Sequence, residues 1–517
     1  MKKVLIGILV LLFVCLTHLK HSFGQENNDV INLKGLFNEN DYTPTTVSEH
    51  YAQLPDGVFS HTQIMNIPVS SQADMLHKVL IIVDSTLYSE LVFEINRYAY
   101  DIHYVYGCNV IMEQVDSETC LDIKNLIVSH QNTLDGCVLI GDIIPAFYEA
   151  TDVCYYNVFS TWPCDLYYMD LNGIWTDLTN NHYYDHYSGD MKPEIFVGRI
   201  STSEMGNIID EIEGMRSYLN KNHRYWIGHR KINKKYGLSY TNRPWVPNPI
   251  DTPYVASCFN DSIRYLYGNS YYEPINAREN PEFFGKTDYL QRLNDEKYEF
   301  IQLASHSTTT HHTQFKGSVI SGYEIASNGD NALGYNLFCC SACCWTNASP
   351  TNAFLAGDYI YSPKSEGLCV VGSTKAGSMY PFAKFYMSLG QRKTIGQSLV
   401  DWWQNKNTNV NNVDSLLCWN FGLTIIGDPL VNFFHCANYF CRDEITLTSY
   451  NSSNSPLSYY LASESIMVAP TSGTFTIPVG DHCILNAPTV VIDGEFLCPS
   501  GSTMEILNEG CKCNCDE

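Results

Sequence analysis

"KVLIIVD", residues 78–84, is a continuous apolar run of strand length, and "SELVFEINRYAYDIHYVYG" (89–107) after it changes to helical spacing. "NVIMEQV" (109–115), "CLDIKNLIVSHQN" (120–132) and "GCVLIGDI" (136–143) then repeat the alternation. Strand, helix, strand, helix, strand predicts an α/β fold, a mostly parallel sheet covered by helices on both faces, because only a doubly covered sheet tolerates strands without polar alternation. Further buried-strand runs are "EIFVGRI" (194–200), "EFIQLASH" (299–306), "GYNLFCCSA" (334–342) and "GLCVVGST" (367–374). "LTIIGDPLVNFF" (423–434) ends the series. Functional groups of open α/β sheets gather at the carboxyl ends of strands. By that rule Asp142, His306, the cysteine cluster at 339–344 and Ser373-Thr374 are expected at one edge.

The flanks read differently. Residues 1–24 have the form of a signal peptide: Lys2 and Lys3, an apolar core from Val4 to Leu16, and Ser22 and Gly24 before a cleavage site at Gln25. Val14 is too bulky for a good lipobox ahead of Cys15. Residues 25–77 are polar and irregular, an arm or prosegment before an α/β domain at 78–436. From 437 to 517 short β segments alternate with Gly, Pro, Ser and Asp, predicting a small cysteine-containing β domain, a stack of short strands with weak repetition. The mature chain is expected to be secreted or held at the cell surface.

The chain has a net charge of −24, which argues against nucleic acid as a partner, since phosphates demand basic patches. Export gives weight to the 20 cysteines, because disulfides persist outside the cytosol. Losing Cys15 with the signal leaves an odd number, so at least one thiol stays unpaired in a monomer while most are expected to be bonded.

"NLFCCSACCWTN" (336–347) holds four of them. Cys340 and Cys343 have a zinc-like local spacing, but no second pair follows. A nucleophile is the other use: a thiolate needs a base within reach and backbone N–H groups for the oxyanion. The apolar run before Cys340 and the run ending at His306 both point to strands that emerge at a rim.

Two apolar runs ending first in His and then in Cys resemble the caspase–legumain–gingipain clan, and within it the gingipain-like cysteine peptidases. The resemblance covers roughly 78–435. It rests on "GDIIP" (141–145), "PCDLYYMDLNGIW" (163–175), "PEIFVGRIS" (193–201), "SHS" (305–307) where His-Gly is usual, "NLFCCSACCW" (336–345), "GSTKAGSMY" (372–380) and "GDPLV" (427–431). It implies a caspase-like sheet and an exported cysteine endopeptidase acting on proteins or peptides. Cys340 would be the nucleophile by family spacing, with Cys343 the alternative, and His306 the general acid/base. The Ser307 and Cys340 N–H groups would form the oxyanion site. Glu194 would orient the histidine, or else be a strand-start carboxylate in water. Asp165, Asp170, Asn172 and Asp177 offer oxygen ligands for a structural Ca²⁺, or else make a tyrosine-rich turn; the chemistry itself requires no cofactor. His311 and His312, in "STTTHHTQF" (307–315), are expected on the loop after His306, with neither a substrate nor a metal role assigned to them. Rival readings are a catalytically inactive gingipain-like surface or adhesion protein, and a disulfide-rich structural protein.

Overall fold

The computed structural model describes residues 57–68, 78–152, 158–230, 236–241, 263–267, 271–276, 281–315, 318–338, 353–375, 382–405, 420–433, 442–449, 457–469 and 474–511. The signal-peptide segment, the four clustered cysteines and the expected junction at 436–437 fall outside these residues.

Strands β1 (Ser60–Ile67), β2 (Lys78–Asp84), β3 (Asn109–Asp116) and β4 (Leu134–Ile140) open the main sheet. Hairpin β5 (Phe147–Asp152) and β6 (Val158–Pro163) and hairpin β7 (Ile174–Thr176) and β8 (His186–Ser188) lie outside it. The sheet resumes with β9 (Phe196–Ile200), β10 (Gly237–Thr241), β11 (Tyr272–Asn276) and β12 (Phe300–Ala304). After a third small hairpin, β13 (His311–Phe315) and β14 (Ser318–Ser321), it is completed by β15 (Gly334–Phe338), β16 (Cys369–Ser373) and β17 (Leu423–Gly427). The order across its eleven strands is β1-β3-β2-β4-β9-β17-β16-β15-β12-β10-β11.

Every residue of β9, β12, β16 and β17 is buried. Successive side chains of a strand point to opposite faces, so both faces of the sheet are covered, as the unbroken apolar runs require. Two of the helices start on caps that the sequence supplies. Thr119 with Asp122 and Thr394 with Gln397 form capping boxes that satisfy the first N–H groups of Cys120–Ser129 and Ile395–Gln404.

Strand direction holds the one surprise. β10, β11, β12, β15 and β16 run parallel, but β17 is antiparallel to β16 and parallel to β9, which runs with β4 and β2. Apart from edge strand β1, the sheet therefore has two parallel halves of opposite direction, joined through β17. The carboxyl ends of β4 and β9 lie at the edge where β12, β15 and β16 begin. Consistently, the Tyr361 hydroxyl, ahead of β16, accepts from Ser201 N at 3.1 Å, just past β9.

β1 lies within the stretch expected to be an irregular arm. It pairs antiparallel with β3 and buries only Met65 and Ile67, too few apolar positions to mark a strand in the sequence.

The C-terminal region is a small all-β unit with a second core around Ile466, Val468, Phe475 and Cys483. β18 (Arg442–Leu447), β19 (Leu457–Val468), β20 (Thr474–Thr476), β21 (His482–Asn486), β22 (Thr489–Ile492), β23 (Glu495–Leu497) and β24 (Thr503–Leu507) pair only in parallel. Each coil lays its strands on those of the coil before, β21 and then β24 on the first half of β19, so the expected stack is a short parallel solenoid. It rests on the α/β part through Phe93 stacked on His482 at 5.5 Å and through Ile484, which joins the main core. Among the described residues no helix is long and apolar enough to cross a membrane.

Candidate active site

β12 and β15 are parallel neighbours with Ala304 opposite Phe338. His306 follows β12 by two residues, and Cys340 follows β15 by two residues in the sequence. Cys340 itself, like Cys343, lies outside the described residues. His306 is buried, 2% exposed, and its carbonyl accepts from Thr313 N at 2.7 Å. Ser305 Oγ donates to Thr313 O at 2.8 Å.

The backbone after His306 is a tight hairpin turn. Ser307 bridges His312 in antiparallel fashion, and Thr308 N donates to His311 O at 2.8 Å. Two outside groups hold the tip: Leu355 N donates to Thr309 O and Gly322 N to Thr310 O, each at 2.8 Å. Ser307 stands where the family usually has glycine. It is not among the residues with positive φ, so this turn demands no left-handed backbone and a serine fits without strain.

His312, expected on a loop, is instead wholly buried in β13. Its Nε2 lies 2.9 Å from the Tyr359 hydroxyl, which lies 2.8 Å from that of Tyr289. Burial pushes its imidazole down to about 3, so the ring is neutral. His311 is at the turn, its Nδ1 2.8 Å from Thr308 Oγ1.

The other expected site residues are not brought to His306. Glu194 precedes β9 at the same edge, but β9 and β12 are four strand steps apart, roughly 19 Å at the usual spacing. Its carboxylate instead accepts from Leu171 N at 2.7 Å and from the Asn172 side chain. Asp142 lies at the opposite edge, because β4 runs against β12.

The four residues of the expected calcium set each bond to the protein. Asp165 is buried against Arg199, which reaches it through Nε at 2.9 Å and Nη2 at 2.8 Å, and Thr424 Oγ1 donates to it at 2.5 Å. Asp170 accepts from Tyr187 OH and Gly173 N, Asn172 binds Glu194, and Asp177 accepts from His182 N. Among the described residues no three His, Cys, Asp or Glu side chains come together around a metal-sized gap.

Seven of the eight cysteines among the described residues carry free thiols and Cys511 is disulfide-bonded; the other twelve of the chain's 20 cysteines lie outside the described residues. Cys108, Cys137, Cys164 and Cys369 are packed as small apolar side chains, and burial pushes their thiols far up; Cys483 is pushed up to about 12. Such thiols are inert, which leaves them poor rivals to a rim cysteine.

Sequence reasoning passed over Asp358 and Lys375. Asp358, 2% exposed, sits on Leu355–Ile360, and its Oδ1 has no hydrogen-bond partner. Nothing in "LAGDYI" marks it; only the fold sets it against Gly322, where a Cβ would fall 1.7 Å from its Oδ2. Burial pushes its carboxyl up to about 7. A raised folded-state value means that its stabilising contribution is complete below the unfolded carboxylate range, near pH 4, and is lost as pH rises through 7. Asp358→Asn cannot titrate. The wild type should therefore lose more stability than Asp358→Asn between pH 5 and pH 8, as thermal unfolding at the two pH values would show; equal losses would contradict this. Lys375, just past β16, is buried with Nζ 4.6 Å over the Trp162 ring, while Thr374 Oγ1 donates to Pro163 O at 2.6 Å. These contacts tie the β5–β6 hairpin to the edge that carries His306.

A family profile for peptidase family C25 matches residues 113–434, more than half of the chain, from the second half of β3 through β17. The chain belongs to peptidase family C25. It is accordingly a cysteine peptidase by family, with the caspase-like α/β fold and the small C-terminal β region. A solved structure described as that of a protease is 14% identical, covering 69% of this chain and 78% of its own, with a TM-score of 0.47. Among curated proteins none matches. In this C25 peptidase the match ends before the C-terminal solenoid.

Proposed function

We propose that this C25 peptidase is an exported endopeptidase that cleaves internal peptide bonds of proteins or peptides with Cys340 as nucleophile and His306 as general acid/base. The observation that carries it is the parallel pairing of β12 with β15, Ala304 opposite Phe338, which ends two strands together just before His306 and just before Cys340. In the first step the Cys340 sulfur attacks the scissile carbonyl carbon. The carbonyl oxygen takes the negative charge and is met by the N–H groups of Ser307 and Cys340. The His306 imidazolium gives its proton to the leaving amine, and the C–N bond breaks to leave a thioester. Water then loses a proton to His306 and attacks the thioester, releasing the acid and the thiolate. No step runs through a metal. Export rests on the signal-like residues 1–24, with secretion or the cell surface as destination, and the solenoid would serve attachment, secretion or stabilisation.

A peptide-library digest with the purified mature chain tests this. Internal cleavage by the wild type, lost in Cys340→Ala, is expected. Cleavage that survives Cys340→Ala but fails in Cys343→Ala would move the nucleophile to Cys343. No cleavage by a folded wild type would favour the non-catalytic adhesion reading.

A further inference from the structure

We propose that His312, Tyr359 and Tyr289 form a buried positioning chain that holds His306 and the Ser307 N–H in their reactive arrangement; this rests on the peptidase reading above. His312 stands directly across the hairpin from Ser307, and its neighbour Thr313 bonds the His306 carbonyl. Displacing His312 therefore displaces the residue after the candidate base. Tyr359 lies on Leu355–Ile360, the helix that follows the cysteine segment in sequence and whose Leu355 N–H bonds Thr309. Tyr289 fixes the far end of the chain against Tyr240 of β10, with ring centroids 5.0 Å apart, and against Phe315 at 5.5 Å.

Stability does not account for a histidine here. His312 is wholly buried, and its Nδ1 has no hydrogen-bond partner in the protein. An apolar side chain of similar size would avoid that desolvation loss. The neutral ring acts through geometry, as a rigid link from the turn to Tyr359, and exchanges no proton.

Three variants test it in the full chain. Tyr359→Phe keeps the ring and removes the hydroxyl. His312→Leu removes the link, and His312→Gln puts an amide where Nε2 was. Tyr359→Phe and His312→Leu are expected to lower kcat about tenfold with KM within about twofold, because small misplacements of reacting groups act on the chemical step. His312→Gln should recover most of kcat, and the pH–rate profile should shift in the first two variants only. If His312→Leu does not fold, Tyr359→Phe and His312→Gln carry the test. Wild-type kcat and pH profile in Tyr359→Phe would overturn the proposal, as would failure of His312→Gln to recover kcat although it folds. An inactive wild type with an unreactive Cys340 would instead sink the peptidase reading, and this proposal with it.

Discussion

Asp165→Ala is expected to destabilise the α/β domain by about 3–5 kcal/mol, the usual result of leaving one partner of a buried ion pair alone. Asp165 and Arg199 are 2% and 3% exposed at the side chain. Arg199 also donates through Nη1 to Ile143 O at 2.7 Å, and Thr424 of β17 completes the carboxylate's bonds. The pair thus clasps β9, β17 and the turn after β4 at the junction of the two oppositely directed halves. Losing the carboxylate strands the guanidinium in a buried site, and a loss of that size is a large share of a typical domain's 5–15 kcal/mol. Urea unfolding of wild type and variant would measure it. The double variant Asp165→Leu with Arg199→Met should regain much of the loss, since replacing both charges removes the stranded one. A change below about 1 kcal/mol in Asp165→Ala, the range of an exposed pair, would contradict the burial.

His306→Ala should lower the rate of peptide hydrolysis by about 10²–10⁴-fold, the range of general acid–base catalysis, with KM little changed. Under the proposed mechanism the substitution would remove both the proton donor for the leaving amine and the partner of the Cys340 thiolate. Its carbonyl bond to Thr313 is a backbone bond and survives, so the hairpin turn should persist. Steady-state kinetics on a cleaved library peptide, beside circular dichroism of the variant, separate lost chemistry from lost fold. Hydrolysis within about threefold of wild type in a folded variant would remove His306 from the mechanism.

The layer architecture was legible because runs such as "KVLIIVD" and "EFIQLA" are apolar at every position, and only a doubly covered sheet makes such strands. Direction was not legible. "LTIIG" packs equally well either way up, and what reverses β17 is its tertiary pairing with β16 and β9. That reversal is why Asp142 lies away from His306. Glu194, though at the right edge, is separated by intervening strands that no local pattern reveals. The partners of Asp165 and Asp170 were hidden for a similar reason, since Arg199 and Tyr187 come from elsewhere in the chain to bond these carboxylates. His312 was hidden by its neighbours, since "STTTHHTQF" has a loop's composition and the tyrosines that bury its ring are distant in sequence. The free thiols at Cys137 and Cys369 sit in buried strands where they pack as small apolar groups, a use that a cysteine count cannot distinguish from pairing.

The central claim, a Cys340 thiolate sustained by His306, is tested most directly by alkylation. Wild type and His306→Ala would be treated with iodoacetamide from pH 5 to pH 9 under native conditions, and every cysteine mapped by mass spectrometry. Cys340 is predicted to be alkylated fastest, already below pH 7, while the buried thiols of Cys108, Cys137, Cys164 and Cys369 stay unlabelled. In His306→Ala the Cys340 profile should move up towards an ordinary thiol. Cys340 found in a native disulfide, or alkylated with the same pH profile in both proteins, would contradict the account.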